Sequence, residues 1–284
     1  MAHIVPGRTD SFRSVLVDTV AGMHAVLAGH TALVTGSSGG IGSAIAERLA
    51  AGGCAVLVHG RDPASAEPVA GRIRRAGGRA TVVLGDLAVA EQAGEVAAAA
   101  LGHGVDVLVA NAGPFRENTW DTAESADWGE SYDGNVLSAV RLIQALTPSM
   151  RERGWGRVVT VASRAVTTPL ANMVTYSAAK AAVVNLTVGL AGHLAGSGVT
   201  ANCVSPGVIL TPSLRRMFLD RTGDPHAEWP AIEGAVTADY APNPSGRLGR
   251  PEDIAHAVAF LVDPRAGYVN GTELRVDGGI TGAV

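Results

Sequence analysis

An α/β fold, a doubly wound parallel sheet of about seven strands with helices on both faces, is predicted by three observations. Short Val-rich apolar runs alternate with helix-length amphipathic runs from residue 31 onward. The short runs are apolar almost without a break, as strands are when helices cover both faces of their sheet. A glycine cluster stands where the first short run gives way to the first long one. Alternation of this kind winds a sheet through right-handed crossovers and places ligands at the carboxyl ends of its strands.

The elements follow in order. Thr31–Thr35 reads as the first strand and Gly40–Ala51 as the helix that leaves the glycine cluster. Cys54–Val58 is the second strand. Asp62 is a good N-cap, and Pro63 suits the first turn of a helix over Pro63–Ala76. Strand Ala80–Leu84, helix Ala88–Leu101 and strand Val105–Ala110 repeat the unit. A long helix over Asp133–Arg153, strand Arg157–Ala162, helix Val174–Ala195 and strand Thr200–Val204 continue it. Helix Pro251–Val262 and strand Glu273–Val276 close the chain.

Residues 212–247 break the pattern. They hold Pro212, Pro225, Pro230, Pro242 and Pro244 together with Met217, Phe218, Trp229 and Tyr240. A loop of this length inside a compact domain is a lid or binding loop, and its aromatics set it apart from disordered segments. The sequence is therefore read as one domain over 30–284, with 212–247 as its lid, preceded by an N-terminal arm over 1–29. Arg8 and Arg13 ahead of Val15–Gly29 imitate a signal peptide, but Asp18 and His24 interrupt its apolar stretch. An arm, or an early start ahead of Met23, is the expectation.

Composition narrows the function classes. The chain has 284 residues, 47% hydrophobic and 17% charged, which suits a single large domain. The net charge is −4, and the arginines are scattered, so neither nucleic acid nor an anionic membrane is an expected partner. The longest apolar stretch, Ala181–Ala195, is interrupted by Asn185 and His193 and reads as a buried helix. Cys54 and Cys203 sit in apolar runs and read as reduced core thiols, which points to the cytoplasm and to no metal site. An excess of Ala, Gly, Val and Arg suggests a GC-rich bacterial genome.

Thr35-Gly36-Ser37-Ser38-Gly39-Gly40-Ile41-Gly42 lies between the first strand and first helix. Glycines there allow a tight turn and close backbone approach to a pyrophosphate, which the helix N-terminus attracts. The second strand ends Val58-His59-Gly60-Arg61-Asp62. An NAD site of this kind has a carboxylate near that point for the ribose hydroxyls. Here Gly60 stands in that place and Arg61 follows, and a guanidinium can grip a 2′-phosphate. NADP(H) is therefore favoured over NAD(H).

Among the 22 Lys and Arg residues, Lys180 is the single lysine, and it follows Tyr176 by four positions. That spacing puts both side chains on one helix face. Elsewhere the chain uses Arg for its cations, so position 180 asks for a compact ammonium. A phenol has an ordinary pKa of about 10, and a fixed cation beside it favours phenolate. Such a pair suits proton transfer in a carbonyl–alcohol interconversion.

These residues resemble the short-chain dehydrogenases/reductases, in the single-domain branch that carries Tyr-x-x-x-Lys on a Rossmann-type sheet. The resemblance covers about residues 30–282. Thr35–Gly42 is similar to the family's glycine pattern. Asp86-Leu87 resembles its adenine contact, and Asn111-Ala112-Gly113 its segment steadying the sheet beside the cofactor. Pro206-Gly207-Val208-Ile209-Leu210-Thr211 resembles the stretch in which Ile209 and Thr211 flank the nicotinamide. Arg250-Pro251-Glu252-Asp253 and Val276-Asp277-Gly278-Gly279 resemble the closing motifs.

The resemblance implies a catalytic set. Ser163, thirteen residues before Tyr176, would polarise the carbonyl. Tyr176 would exchange the proton, and Lys180 would lower the Tyr176 pKa and bind the nicotinamide ribose. Asn135 would hold a water linking Lys180 to solvent. The cofactor contacts implied are Gly36, Ser37, Ser38, Gly40, Ile41, Gly42, Arg61, Asp86, Leu87, Asn111, Ala112, Gly113, Tyr176, Lys180, Pro206, Gly207, Ile209 and Thr211. A second basic residue, frequent in the glycine loop of NADPH-dependent members, is replaced by Ser37-Ser38-Gly39, and Ala110 replaces the first Asn of an Asn-Asn-Ala-Gly version.

Three function classes compete. An NADP(H)-dependent ketone or aldehyde reductase leads, with an NAD-dependent alcohol dehydrogenase of the same family beside it. An enoyl reductase spaces Tyr and Lys seven apart, and Val183 occupies that position here. A silent cofactor-binding regulator would have lost members of the Asn-Ser-Tyr-Lys set. Phe115, Leu170, Met173, Val208, Met217, Phe218 and Trp229 are expected to line an apolar pocket under the lid, for a bulky apolar carbonyl substrate. The resemblance implies a homotetramer, or a homodimer, built on the helices of Asn135 and Tyr176.

Overall fold

The computed structural model describes residues 26–224 and 226–282. Seven parallel strands form one sheet: β1 (Thr31–Val34), β2 (Ala55–Gly60), β3 (Arg79–Leu84), β4 (Val107–Ala110), β5 (Gly156–Val161), β6 (Val199–Pro206) and β7 (Glu273–Val276). Their order is β3-β2-β1-β4-β5-β6-β7. The order reverses at β1, which pairs with β2 on one side and β4 on the other. The crevice above this reversal is where an open α/β sheet binds its ligand.

Helices α1 (Gly40–Ala51), α2 (Pro63–Arg75) and α3 (Ala90–Gly102) follow β1, β2 and β3. After β4 come α4 (Ser125–Tyr132), a single π-helical turn over Asp133–Leu137, and α5 (Ser138–Glu152). Helix α6 (Val174–His193) joins β5 to β6. Helices α7 (Pro212–Thr222), α8 (Trp229–Asp239) and α9 (Pro251–Val262) lie between β6 and β7.

Alternation along the strands divides the core. Ala32 and Val34 of β1, Val56 and Val58 of β2, and Val107 and Val109 of β4 point into one layer, with Ile45 and Leu49 of α1 and Leu261 of α9. Leu33, Leu57 and Leu108 point to the opposite layer, with Leu142 and Leu146 of α5. Two-residue periodicity sends neighbours to opposite faces, and burial of both sets makes the strands apolar throughout. Helix α6 has the length and apolar character of a membrane span, but its face with Ala179 and Val183 is buried against Val136, Ala162 and Cys203.

Three expectations are corrected. The helix expected over 133–153 is preceded by α4 and begins in the π turn, an extra-residue bulge that sequence periodicity does not register. The lid expected as a loop is largely helical. Pro212 and Pro230 occupy the first turns of α7 and α8, where the missing N–H costs nothing, so they start helices rather than break them. The domain also begins earlier than residue 30: Leu27 is buried and its N–H donates to the Gly52 carbonyl at 2.9 Å. Residues 1–25 of the expected arm lie outside the described residues.

Candidate active site

The loop from β1 to α1 is built on a buried histidine. His59, at the end of β2, accepts the Gly36 N–H on Nδ1 at 3.0 Å, and its Nε2 donates to the Gly85 carbonyl at 3.1 Å. These two bonds set one neutral tautomer, and burial pushes the imidazole pKa down. Ser37 N donates to the His59 carbonyl, His59 N donates to Ser37 Oγ, and that hydroxyl donates to the Val34 carbonyl at 2.7 Å. Gly42 packs so closely that a Cβ there would lie 2.3 Å from the Gly36 carbonyl oxygen. Thr35 and Asn111 fasten the loop to β4: Asn111 Nδ2 donates to the Thr35 carbonyl, and Thr35 Oγ1 accepts from Asn111 N and Ala112 N.

One assignment changes here. Ser37 was expected among the cofactor contacts, but it is fully buried and its hydroxyl is spent on the turn. Its role is to shape the loop. His59, which the sequence reading passed over, does the same work. Its only sequence signal is a polar residue near the end of an apolar strand beside the glycine cluster.

Two clefts flank this loop and share Ser38, Asn111 and Gly113. The first, about 590 Å³, is lined by Gly36, Gly60, Arg61, Asp86, Leu87, Ala112 and neighbours. Arg61 is largely exposed and stands 3.7 Å from the Asp86 carboxylate. Position 60 has no room for an acidic side chain without movement, since a Cβ would meet Ser38 Cβ at 3.0 Å. The second cleft, about 730 Å³, is lined by Gly40, Ile41, Gly42, Ser163, Tyr176, Lys180, Pro206, Gly207, Ile209 and Thr211. Together they form a trough across the sheet reversal, bordered by backbone N–H groups at its centre.

Of the four expected catalytic residues, Ser163, Tyr176 and Lys180 line the second cleft, and Asn135 lies against Gly113 of its wall. Ser163 lies two residues beyond β5, where its Oγ accepts from Ala165 N at 3.2 Å. Tyr176 and Lys180 stand one turn apart on α6, with Lys180 Nζ 5.7 Å from the phenol ring centre. Lys180 is buried, and its Nζ donates to the Val161 carbonyl at 2.9 Å. Asn135 comes from the π turn. Its Nδ2 donates to the carbonyls of Pro114 and Ser131 at 2.9 and 3.0 Å. Its buried Oδ1 has no hydrogen-bond partner among the described residues. That oxygen and Lys180 Nζ both abut the α-carbon of Gly113: a Cβ there would fall 2.4 Å from one and 3.0 Å from the other.

The electrostatics correct one expectation. Burial pushes the Tyr176 phenol up, and its hydrogen bond with Ser163 pulls it back only in part. The lowered phenol expected from Lys180 is not what this arrangement produces, because desolvation of the phenolate outweighs the other influences. Burial acts on Lys180 in the opposite sense and brings its ammonium down to about 8, with the Cys203 thiol opposing. The two groups thus depart from their ordinary values in opposite directions, the phenol holding its proton and the ammonium releasing its own more readily.

The expected substrate residues divide. Phe115, Leu170, Met173 and Val208 line the cleft, with the Phe115 ring edge-on to Tyr176 at 6.5 Å. Met217, Phe218 and Trp229 do not line it. Trp229 is buried in a separate small core with Val236, Ala241 and Leu248, and Phe218 packs on that core beside Tyr240. An aromatic in a lid therefore served the lid's own stability here. The cleft wall instead includes Tyr240, another of the lid aromatics, and Arg164, Ser213, Leu214 and Arg216, which carried no sequence signal. Thr211 borders the cleft and also caps α7, accepting the Leu214 N–H at 3.2 Å.

Comparison with known proteins identifies the family. The family model of the short chain dehydrogenases matches residues 30–222. Nodulation protein G of Azospirillum brasilense is 36% identical over 255 residues, covering 88% of this chain and 97% of that protein. The 3-oxoacyl-[acyl-carrier-protein] reductase FabG of Escherichia coli is 34% identical over 252 residues, covering 89% and 97%. L-sorbose reductase of Gluconobacter frateurii, solved with NADPH and L-sorbose, superposes with a TM-score of 0.87 at 32% identity, covering 92% of this chain and all of that one. With its Rossmann-like sheet and with relatives of this kind along nearly its whole length, the chain belongs to the short-chain dehydrogenase/reductase family and is an NAD(P)-dependent oxidoreductase.

Proposed function

We propose that the protein interconverts a ketone or aldehyde and an alcohol with NADP(H), using Tyr176 as general acid/base. The observation that carries this reading is the meeting of Ser163, Tyr176 and Lys180 on one cleft, with the unpartnered Asn135 Oδ1 against Gly113 of its wall. The residues fit a dinucleotide: a trough crosses the sheet reversal, with the glycine loop at its middle and Arg61 at one end. When bound, the nicotinamide supplies or accepts the hydride. The chain's own residues do the rest. Ser163 Oγ donates to the substrate oxygen and polarises the carbonyl. Tyr176 delivers its phenolic proton to that oxygen in reduction and takes it back in oxidation.

Lys180 Nζ supports the phenolate that reduction leaves behind. Its pKa near 8 lets it release a proton toward Tyr176 at little cost. The Asn135 Oδ1 beside it gives a bridging water an acceptor, so the proton lost from Lys180 is restored from solvent. Phe115, Leu170 and Met173 keep bulk water from the reacting centre. Gly60 and Arg61 support NADP(H) over NAD(H), since no carboxylate occupies position 60 and a largely exposed guanidinium can meet a 2′-phosphate. The carboxylate beside Arg61 belongs to Asp86, the expected adenine contact.

The reading also places the enzyme in the cytoplasm of a bacterium as a homotetramer or homodimer. Two buried free thiols support the first, and the exposed Tyr132 and Val188 on α4 and α6 support the second. The experiment that tests the function is NADPH oxidation with a panel of aryl, alicyclic and open-chain ketones, repeated with NADH. Turnover with NADPH in preference to NADH is expected. Tight NADPH binding without turnover of any ketone or alcohol would leave a cofactor-binding regulator instead.

A further inference from the structure

The cleft beside Tyr176 carries three cations, Lys180, Arg164 and Arg216, and neither Asp nor Glu borders it. Composition does not explain this bias, because the chain has 26 acidic and 22 basic residues. Nearby arginines do have carboxylates: Arg116 meets Asp127 at 2.7 Å, and Arg221, also on α7, meets Glu117 at 3.1 Å. Arg164 and Arg216 have neither an ion pair nor a side-chain hydrogen bond among the described residues. Arg164 is moreover half-buried. A guanidinium partly removed from water with no acceptor loses hydration without compensation, which a ligand oxyanion would restore.

Arg164 and Arg216 reach the cleft from elements other than the glycine loop. Arg164 directly follows Ser163 and belongs to the short turn Arg164–Val166 after β5. It shares that wall with Leu170 and Met173, whereas the glycine loop rises from β1. Arg216 faces the same space from α7, on the lid side. An apolar strip thus runs from Tyr176 toward two unpaired forks.

We propose that the cleft selects carbonyl substrates that end in a carboxylate, held by Arg164 on the catalytic wall and by Arg216 from the lid. The carbon skeleton between the carboxylate and the carbonyl lies on Phe115, Leu170 and Met173. The apolar substrate expected from the sequence is thereby sharpened to an amphipathic anion. This inference rests on the ketone–alcohol reading above.

The test compares benzoylpropionate, an aryl ketone ending in a carboxylate, with its methyl ester, using the intact protein and NADPH. The acid is expected to exceed the ester in kcat/KM by about thirtyfold, in line with charge-assisted hydrogen bonds to a fork. Arg164→Gln should bring that ratio to within about threefold while the NADPH dissociation constant, followed by fluorescence, stays in place. Arg164→Lys should restore part of the ratio, since it returns the charge without the fork. Arg216→Gln should lower the ratio by a smaller factor. Equal use of acid and ester by the wild-type protein would overturn the proposal, as would weakened NADPH binding with an unchanged ratio. Calorimetric titration of benzoylpropionate into protein saturated with NADP+ reads the same contact without turnover. Binding that depends on Arg164 supports the inference even if the ketone–alcohol reading fails, and absence of binding overturns it.

Discussion

The wall that holds Ser163, Tyr176 and Lys180 differs from the lid facing it in how side chains are held. On the wall, Lys180 is tied to the Val161 carbonyl, Asn135 to the carbonyls of Pro114 and Ser131, and Ser163 to Ala165 N. Each anchor is backbone of a strand, a loop or turn that follows a strand, or helix α4, so these side chains are fixed by backbone already held in place. In the lid, α7 has no buried residue and α8 buries only Trp229 and Val236 among those described. Surface ion pairs, Arg250 with Glu233 and Arg221 with Glu117, help attach it, and exposed pairs of this kind contribute about 1 kcal/mol or less. Proton transfer needs groups fixed within tenths of an ångström, whereas a substrate wall can follow its ligand. The contrast predicts that wall substitutions act on turnover and lid substitutions act on substrate affinity.

The sharpest way to break that contrast is Tyr176→Phe. It should cut kcat by about a thousandfold with the NADPH dissociation constant little changed, because it removes the proton donor and no cofactor contact of comparable strength. Stopped-flow turnover alongside fluorescence titration checks it, and an active variant would remove Tyr176 from the chemistry. Lys180→Arg conserves charge but not shape, and should cost on the order of a hundredfold in kcat. In the wild-type enzyme Lys180 is charged below about 8 and neutral above it, so reduction should fall as pH rises through that value. Lys180→Arg should flatten that limb of the pH–rate profile, since a guanidinium stays protonated.

Arg61→Ala tests the far end of the trough. It should raise the KM for NADPH by about tenfold and that for NADH by much less, as expected for a charge-assisted contact to a 2′-phosphate. Equal changes for both cofactors would detach Arg61 from cofactor choice. The smallest effect on chemistry is expected from the lid. Trp229→Ala empties the core it shares with Val236, Ala241 and Leu248. It should quicken amide exchange across 212–247 and raise substrate KM a few-fold, with kcat within about threefold, because local opening need not disturb the sheet. A large loss of kcat there would erase the distinction between wall and lid.

Much of the architecture was legible in the sequence. Gly40–Ala51, Pro251–Val262 and Glu273–Val276 are observed with the expected bounds, because glycine, proline and apolar periodicity mark both ends. The departures have local causes. Asn135 was expected in a long helix, yet the π turn that buries it arises from a bulge invisible to a 3.6-residue period. Residues 212–247 read as a loop because the position of Pro212 and Pro230 within a helix is unknown until the helix is seen.

The sequence by itself determined the layer order, the strand–helix alternation and the spacing of Tyr176 and Lys180, because these are set by local propensity and periodicity. Tertiary structure alone decided the rest. It turned Ser37 inward to brace a loop, seated His59 beneath that loop as a neutral imidazole, and spent Trp229 on the lid. It also brought Arg164 and Arg216 to one acid-free cleft across 52 residues of chain. Burial, and with it hydration and the pKa of a phenol or an ammonium, depends on which surfaces meet, and that is a property of the packed sheet rather than of any stretch of residues.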